Sequence, residues 1–106
     1  MPKYLFQATY TKDGVAGIRA QGGSSRRDAI AAMAEGLGGS LESFYFAFGE
    51  SDVVTIVDLP DQESATAVAL TVNASGAVTV RTTVLLTPEQ VDAAAQRSVD
   101  YRAPGG

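Results

Sequence analysis

Apolar and polar residues alternate with a period of two over residues 3 to 10, placing Tyr4, Phe6, Ala8 and Tyr10 on one side of an extended chain. The sequence therefore opens with a β-strand. From Thr11 to Gly23 the alternation stops, and Gly14, Gly17, Gly22 and Gly23 surround a short apolar core of Val15, Ala16 and Ile18. That much glycine predicts a loop holding no more than one helical turn. A period near 3.6 follows, with Ile30, Met33, Ala34 and Leu37 behind a Ser25/Asp28 capping pair, and it predicts a helix over residues 25–37 stopped by Gly38-Gly39.

Residues 41–48 and 53–59 are two apolar runs separated by Gly49-Glu50-Ser51-Asp52, the pattern of a hairpin. Val53-Val54-Thr55-Ile56-Val57 is apolar at both alternating sets of positions, which predicts a central strand covered on both faces. Pro60-Asp61 opens a second helix, whose stripe of Ala65, Val68, Ala69 and Val72 ends near Gly76. Residues 77–86 read as a fourth strand, and Thr87-Pro88-Glu89-Gln90 as the capped start of a short Ala-rich helix to about Arg97. The order is βαββαβ plus a terminal helix, so the predicted class is α+β, a ferredoxin-like four-stranded antiparallel sheet with both crossover helices on one face. Residues 1–97 form one domain in this reading, and 98–106, ending Pro-Gly-Gly, a flexible tail.

A sheet with helices on one face leaves the other bare. Apolar side chains on both sides of the third strand call for a cover there, and a second copy packed sheet to sheet supplies one, giving a dimeric α/β barrel. The expected partner is thus the chain itself, as a homodimer or higher homo-oligomer.

Composition narrows the chemistry. With 45% hydrophobic and 19% charged residues in 106, the chain is of ordinary globular type. A net charge of -4 with eight Lys and Arg argues against nucleic-acid binding, which needs clustered cations. There is no Cys and no His, so thiolate chemistry, the commonest general base and the usual nitrogen ligand for zinc or haem are all missing. No cofactor and no metal site are expected, and any metal would be held by oxygen alone. Without a signal-peptide pattern or a bilayer-length apolar run, the expected location is cytoplasmic, with no membrane partner.

Several short motifs together resemble the GYD-domain family, within the wider dimeric α/β-barrel group: Tyr10-Thr11-x-x-Gly14, Leu37-Gly38-Gly39, Gly49-x-x-Asp52-Val53-Val54 and Pro60-Asp61. The resemblance covers roughly the first 90 residues. It implies the fold and an oligomer, but no common reaction. The family's name refers to a Gly-Tyr-Asp signature, and here Ser51 precedes Asp52. Relatives in the barrel group include cofactor-free monooxygenases, isomerases, dehydratases and haem-degrading enzymes, many of which employ His, and that part of the likeness fails in a chain without one.

Three groups of residues are candidates for function. Arg19, Arg26 and Arg27, with Ser24 and Ser25, stand near a helix start where an anion is favoured, though a solvated cap whose arginines pair with Asp28 or Glu35 is the commoner use of such residues. Glu50 and Asp52 could act as general bases if buried, while Asp is also a common turn-capping residue. The aromatic set Tyr4, Phe6, Tyr10, Phe44, Tyr45, Phe46 and Phe48 reads mostly as core, with room for a pocket between sheet and helices whose mouth carries Tyr10 and Arg19. The leading expectation is an oligomer that binds a small acidic or aromatic ligand, with Tyr10, Arg19, Arg26 and Arg27 as contacts. The alternatives are a cofactor-free enzyme performing proton transfer through Glu50 or Asp52, and a structural or regulatory assembly subunit.

Overall fold

The computed structural model describes all 106 residues. The chain runs β1 (Lys3–Tyr10), α1 (Lys12–Gln21), α2 (Gly23–Gly36), β2 (Ser40–Phe46), β3 (Val53–Asp58), α3 (Gln62–Ala74), β4 (Val78–Leu85) and α4 (Pro88–Ala95). The strands form one sheet in the order β2-β3-β1-β4, every neighbouring pair antiparallel. This is the ferredoxin-like arrangement that the alternation and helical periodicity predict.

Register divides the side chains cleanly. Tyr4, Phe6 and Ala8 of β1 stand beside Val57, Thr55 and Val53 of β3, and all six are buried beneath the helices. Ala34 of α2 and Ala65 and Val68 of α3 close over Tyr4, Phe6, Val57 and Leu59, while Ala8, Val53 and Val78 make a second cluster toward the far end. Alanine at the helix contacts lets two helices lie close to a sheet that carries the larger side chains.

The caps explain where the helices begin and end. Asp61 accepts a hydrogen bond from the Ser64 N–H at 2.8 Å, and Thr87 and Gln90 form a reciprocal capping box behind Pro88. α2 ends as predicted at Gly38, whose φ of 82° suits glycine: its N–H reaches the Glu35 carbonyl and that of Gly39 the Ala34 carbonyl, a Schellman motif. Its start differs. The helix opens at Gly23 behind Gly22, which has φ 87°, and the Ser25/Asp28 capping pair does not form; Asp28 instead accepts from the Arg27 guanidinium at 3.2 Å.

The larger correction is α1. The segment read as a loop is a helix of ten residues. Two of its glycines serve packing or take no strain, rather than breaking the helix. Thr11 caps it, accepting from the Gly14 N–H and donating to the Gly76 carbonyl at 3.0 Å. At Gly14 a Cβ would stand 2.2 Å from the Ala77 carbonyl oxygen, so only glycine lets the first turn lie against the entry to β4. Gly17 faces open space, where its cost is propensity alone. No residue of α1 is buried, so the helix lies over the end of the sheet without entering the core.

The domain is long in one direction, 57 × 33 × 23 Å, with a radius of gyration of 16.9 Å. A folded chain of this length usually has one near 13 Å. No residue of α4 is buried, and Val99 and Tyr101 beyond it are exposed.

Candidate functional site

β1 ends at Tyr10, and the elements that meet there leave two open clefts; a third, of about 510 Å³, lies at the opposite end of β1 between Lys3, Leu85 and Gln90. The interior directly between sheet and helices is nearly filled: a cavity of about 40 Å³ remains, lined by apolar side chains that include Phe6, Val53 and Val68. That is room for a water or two, and the larger clefts near Tyr10 lie at the sheet's end. On one side of Tyr10 an apolar cleft of about 400 Å³ runs between Val15 and Ile18 of α1 and Phe46 and Phe48, with Asp52 in its wall. On the other side a more polar cleft of about 340 Å³ lies between α1 and the α3–β4 turn and includes Arg26.

Tyr10 faces the helices because it shares the face of Phe6 and Ala8, and it is half-buried because α1 lies over it. Its backbone N–H donates to an Asp52 carboxylate oxygen at 2.9 Å. The Asp52 N–H in turn donates to the Ala8 carbonyl at 2.8 Å, so one residue of the β2–β3 loop extends the β1–β3 ladder and then caps it. Burial pushes the Tyr10 phenol above its ordinary value of 10.0, the neighbouring Arg26 guanidinium opposes that rise, and the Asp52 charge adds to it. At neutral pH the phenol is therefore a neutral donor.

Arg26 sits in the first turns of α2 and is half-buried, and it takes part in no ion pair. Consecutive helical residues point about 100° apart. That rotation turns Arg27 outward, where it pairs with Asp28. Arg19 is exposed on α1 and lines none of the clefts, and Glu50 is exposed at the tip of the β2–β3 loop. Of the six candidates, the structure brings Tyr10, Arg26 and Asp52 together and leaves Arg19, Arg27 and Glu50 apart.

Val15 and Ile18 carry no binding signal in the sequence, and Phe46 and Phe48 belong to the aromatic set that reads mostly as core, yet all four wall the cleft. Phe48 carries a signal, since it is fully exposed beyond the end of β2 although the apolar run continues through it. Ser51, 5% exposed, was also missed; its hydroxyl accepts from Arg81 Nη2 at 3.1 Å. Arg81 is the one charged residue in the Val- and Thr-rich run of β4.

Sheet order, helix placement and an open end at β1 define a ferredoxin-like α+β domain. The chain matches the family model of the GYD domain over residues 4–95, and it belongs to that family. No curated protein and no solved structure matches it. No helix is long and apolar enough to cross a membrane.

Proposed function

We propose that this GYD domain binds a small, flat, mostly apolar molecule bearing an acidic group, at the end of the sheet around Tyr10. The observation that carries the reading is Arg26: a half-buried guanidinium without a carboxylate partner, beside a neutral phenol and in the polar cleft that shares Tyr10 and Ile18 with the apolar one. The Asp52 carboxylate accepts from the Tyr10 N–H and forms no ion pair with Arg26, whose charge is left for a ligand. An aromatic ring would lie against Ile18, Phe46 and Phe48, with its acid directed to Arg26. The cleft of about 400 Å³ is within the size range of small-molecule sites.

Salicylate is a suitable probe, followed by backbone amide shifts on titration. Saturable shifts at Tyr10, Ile18 and Ala47 are expected, and Arg26→Gln should weaken binding about tenfold or more, the loss of one charge-assisted hydrogen bond. Shifts scattered over the surface, or affinity indifferent to Arg26, would overturn the reading.

Asp52 supports a second reading, proton transfer on the same class of ligand, because its half-buried carboxylate lines the cleft. Turnover abolished by Asp52→Asn with ligand affinity retained is the outcome that would distinguish it.

The same reading includes self-assembly. Leu5, Val54 and Ile56 lie on the sheet face away from the helices, and no element of this chain packs over them. A second copy covering that face makes the dimeric α/β barrel.

A further inference from the structure

α4 is built to persist and yet packs on nothing. Thr87 and Gln90 cap it reciprocally and Pro88 sets its first turn, but none of its residues is buried. The longest strands have eight residues, about 26 Å of chain, whereas the molecule extends over 57 Å. The excess length belongs to an arm made of α4 and the chain that follows it.

The arm carries apolar side chains that its own domain leaves in water. Leu86 stands at its root and Val91 on α4, and beyond the helix Val99 and Tyr101 are 79% and 73% exposed. Exposed apolar groups gathered on one projecting element mark a surface that meets another molecule. The root lies beside the bare sheet face. Leu85, the last residue of β4, pairs with Lys3 of β1, and both share the face of Leu5, away from the helices. Lys3, Leu85, Leu86 and Gln90 line the cleft of about 510 Å³, so the bare face and the arm meet at an open corner.

We infer that the arm is a second dimerisation element: a second copy of the chain seats in this corner, and each copy's arm lies along the flank of the other. The inference rests on the reading that the chain pairs with itself through the bare face. Area favours that occupant. Four strands about 4.8 Å apart, each contributing about six residues at 3.3 Å, cover on the order of 400 Å², half of the roughly 800 Å² that each partner buries in a standard interface. One side of α4 is about 12 Å by 10 Å, and the chain from Arg97 to Tyr101 adds about half as much. In a two-fold pair each copy gives one arm and receives one, so the arm counts twice on each partner and adds on the order of 400 Å². Folded back on its own sheet, the same arm would cover less than half of the face.

The test follows amide hydrogen exchange of the full chain at concentrations that span the dimer dissociation constant measured by sedimentation. Protection at Val91 to Ala94 and at Val99 to Tyr101 should be absent in dilute protein and appear with the dimer. The double variant Val99→Ser, Tyr101→Ser, altered only at exposed sites, should keep the wild-type circular dichroism and dimerise about tenfold or more weakly. Leu70→Ser, at an exposed site on α3 and on the other side of the sheet, should dimerise as wild type does. Wild type that stays monomeric throughout would overturn the self-pairing reading and this inference with it. A dimer whose arm stays unprotected, or whose affinity is unchanged in the double variant, would leave self-pairing intact and overturn the role of the arm alone. Equal protection at every concentration would place the arm on its own sheet and overturn the inference as well.

Discussion

Asp52 and Tyr10 are joined by a hydrogen bond of 2.9 Å from the Tyr10 backbone N–H to the Asp52 carboxylate. Through it the β2–β3 loop holds the junction between β1 and α1, the point around which both clefts open. A residue with the sequence signature of a turn thus shapes the wall of the candidate site, and its structural role can be separated from any role toward ligand.

Asp52→Ala removes a charged acceptor and leaves the N–H of a half-buried residue without its partner. Bonds of this kind contribute about 1.5–3 kcal/mol, and a loss in that range is expected from urea unfolding at unchanged slope. Asp52→Asn keeps an acceptor and should lose about half as much. If both variants unfold at the wild-type midpoint, the bond does not hold the junction.

Gly14 and Gly17 lie one turn apart on α1 and predict opposite outcomes. A Cβ at Gly14 would meet the Ala77 carbonyl oxygen at 2.2 Å, whereas at Gly17 nothing lies within 4 Å. Gly14→Ala should therefore cost about 1–3 kcal/mol, as overpacking does. Gly17→Ala should stabilise the helix by about 0.5–1 kcal/mol. Urea midpoints in the reverse order would contradict the docking of α1 described above.

That pair also marks where the sequence is ambiguous. Strand β1, the hairpin, and the starts of α3 and α4 were legible because one physical cause, a period or a cap, dominates each. In α1 glycine means two different things: a low helix propensity, which was read, and a close approach to Ala77, which exists only once β4 is in place. For the site, Tyr10 was legible from the alternation and Asp52 from its turn position. Separating Arg26 from Arg27 required the rotation of α2 relative to the sheet, which neighbouring arginines in a sequence do not disclose. The Arg81–Ser51 contact spans 30 residues, and its signal was a lone charge in a strand of Val and Thr.

α4 provides a test of cooperativity. Thr87 and Gln90 cap it reciprocally, yet it buries no residue. Thr87→Ala removes about 1 kcal/mol of local helix stability. Because the helix contributes little to the core, amide exchange at Val91 to Ala94 should accelerate while the urea midpoint of the monomeric domain stays within about 0.3 kcal/mol of wild type. A comparable loss in global stability would show that α4 packs more closely than its exposure indicates.

The Tyr10 phenol gives the most direct reading of the candidate site, because its ionisation reports on Arg26 and on the overlying helix together. Burial raises its pKa above 10.0, and the Arg26 charge lowers it. With the folded value above the unfolded one, the folded state holds the proton more tightly, so this contribution to stability is complete below pH 10 and is lost as pH rises through the folded value. Lys3, raised from 10.5 by its bonds to Glu42 and Asp58, follows the same sign at similar pH, so a stability curve alone would mix the two. The phenolate ultraviolet band isolates Tyr10: subtracting the titration of Tyr10→Phe from that of wild type should leave one tyrosine with a midpoint above 10. In an Arg26→Gln background that midpoint should rise further, since the opposing charge is gone while burial remains. A midpoint that falls or stays fixed would mean that Arg26 does not act on the phenol, and the site would lose the charge on which ligand binding is argued.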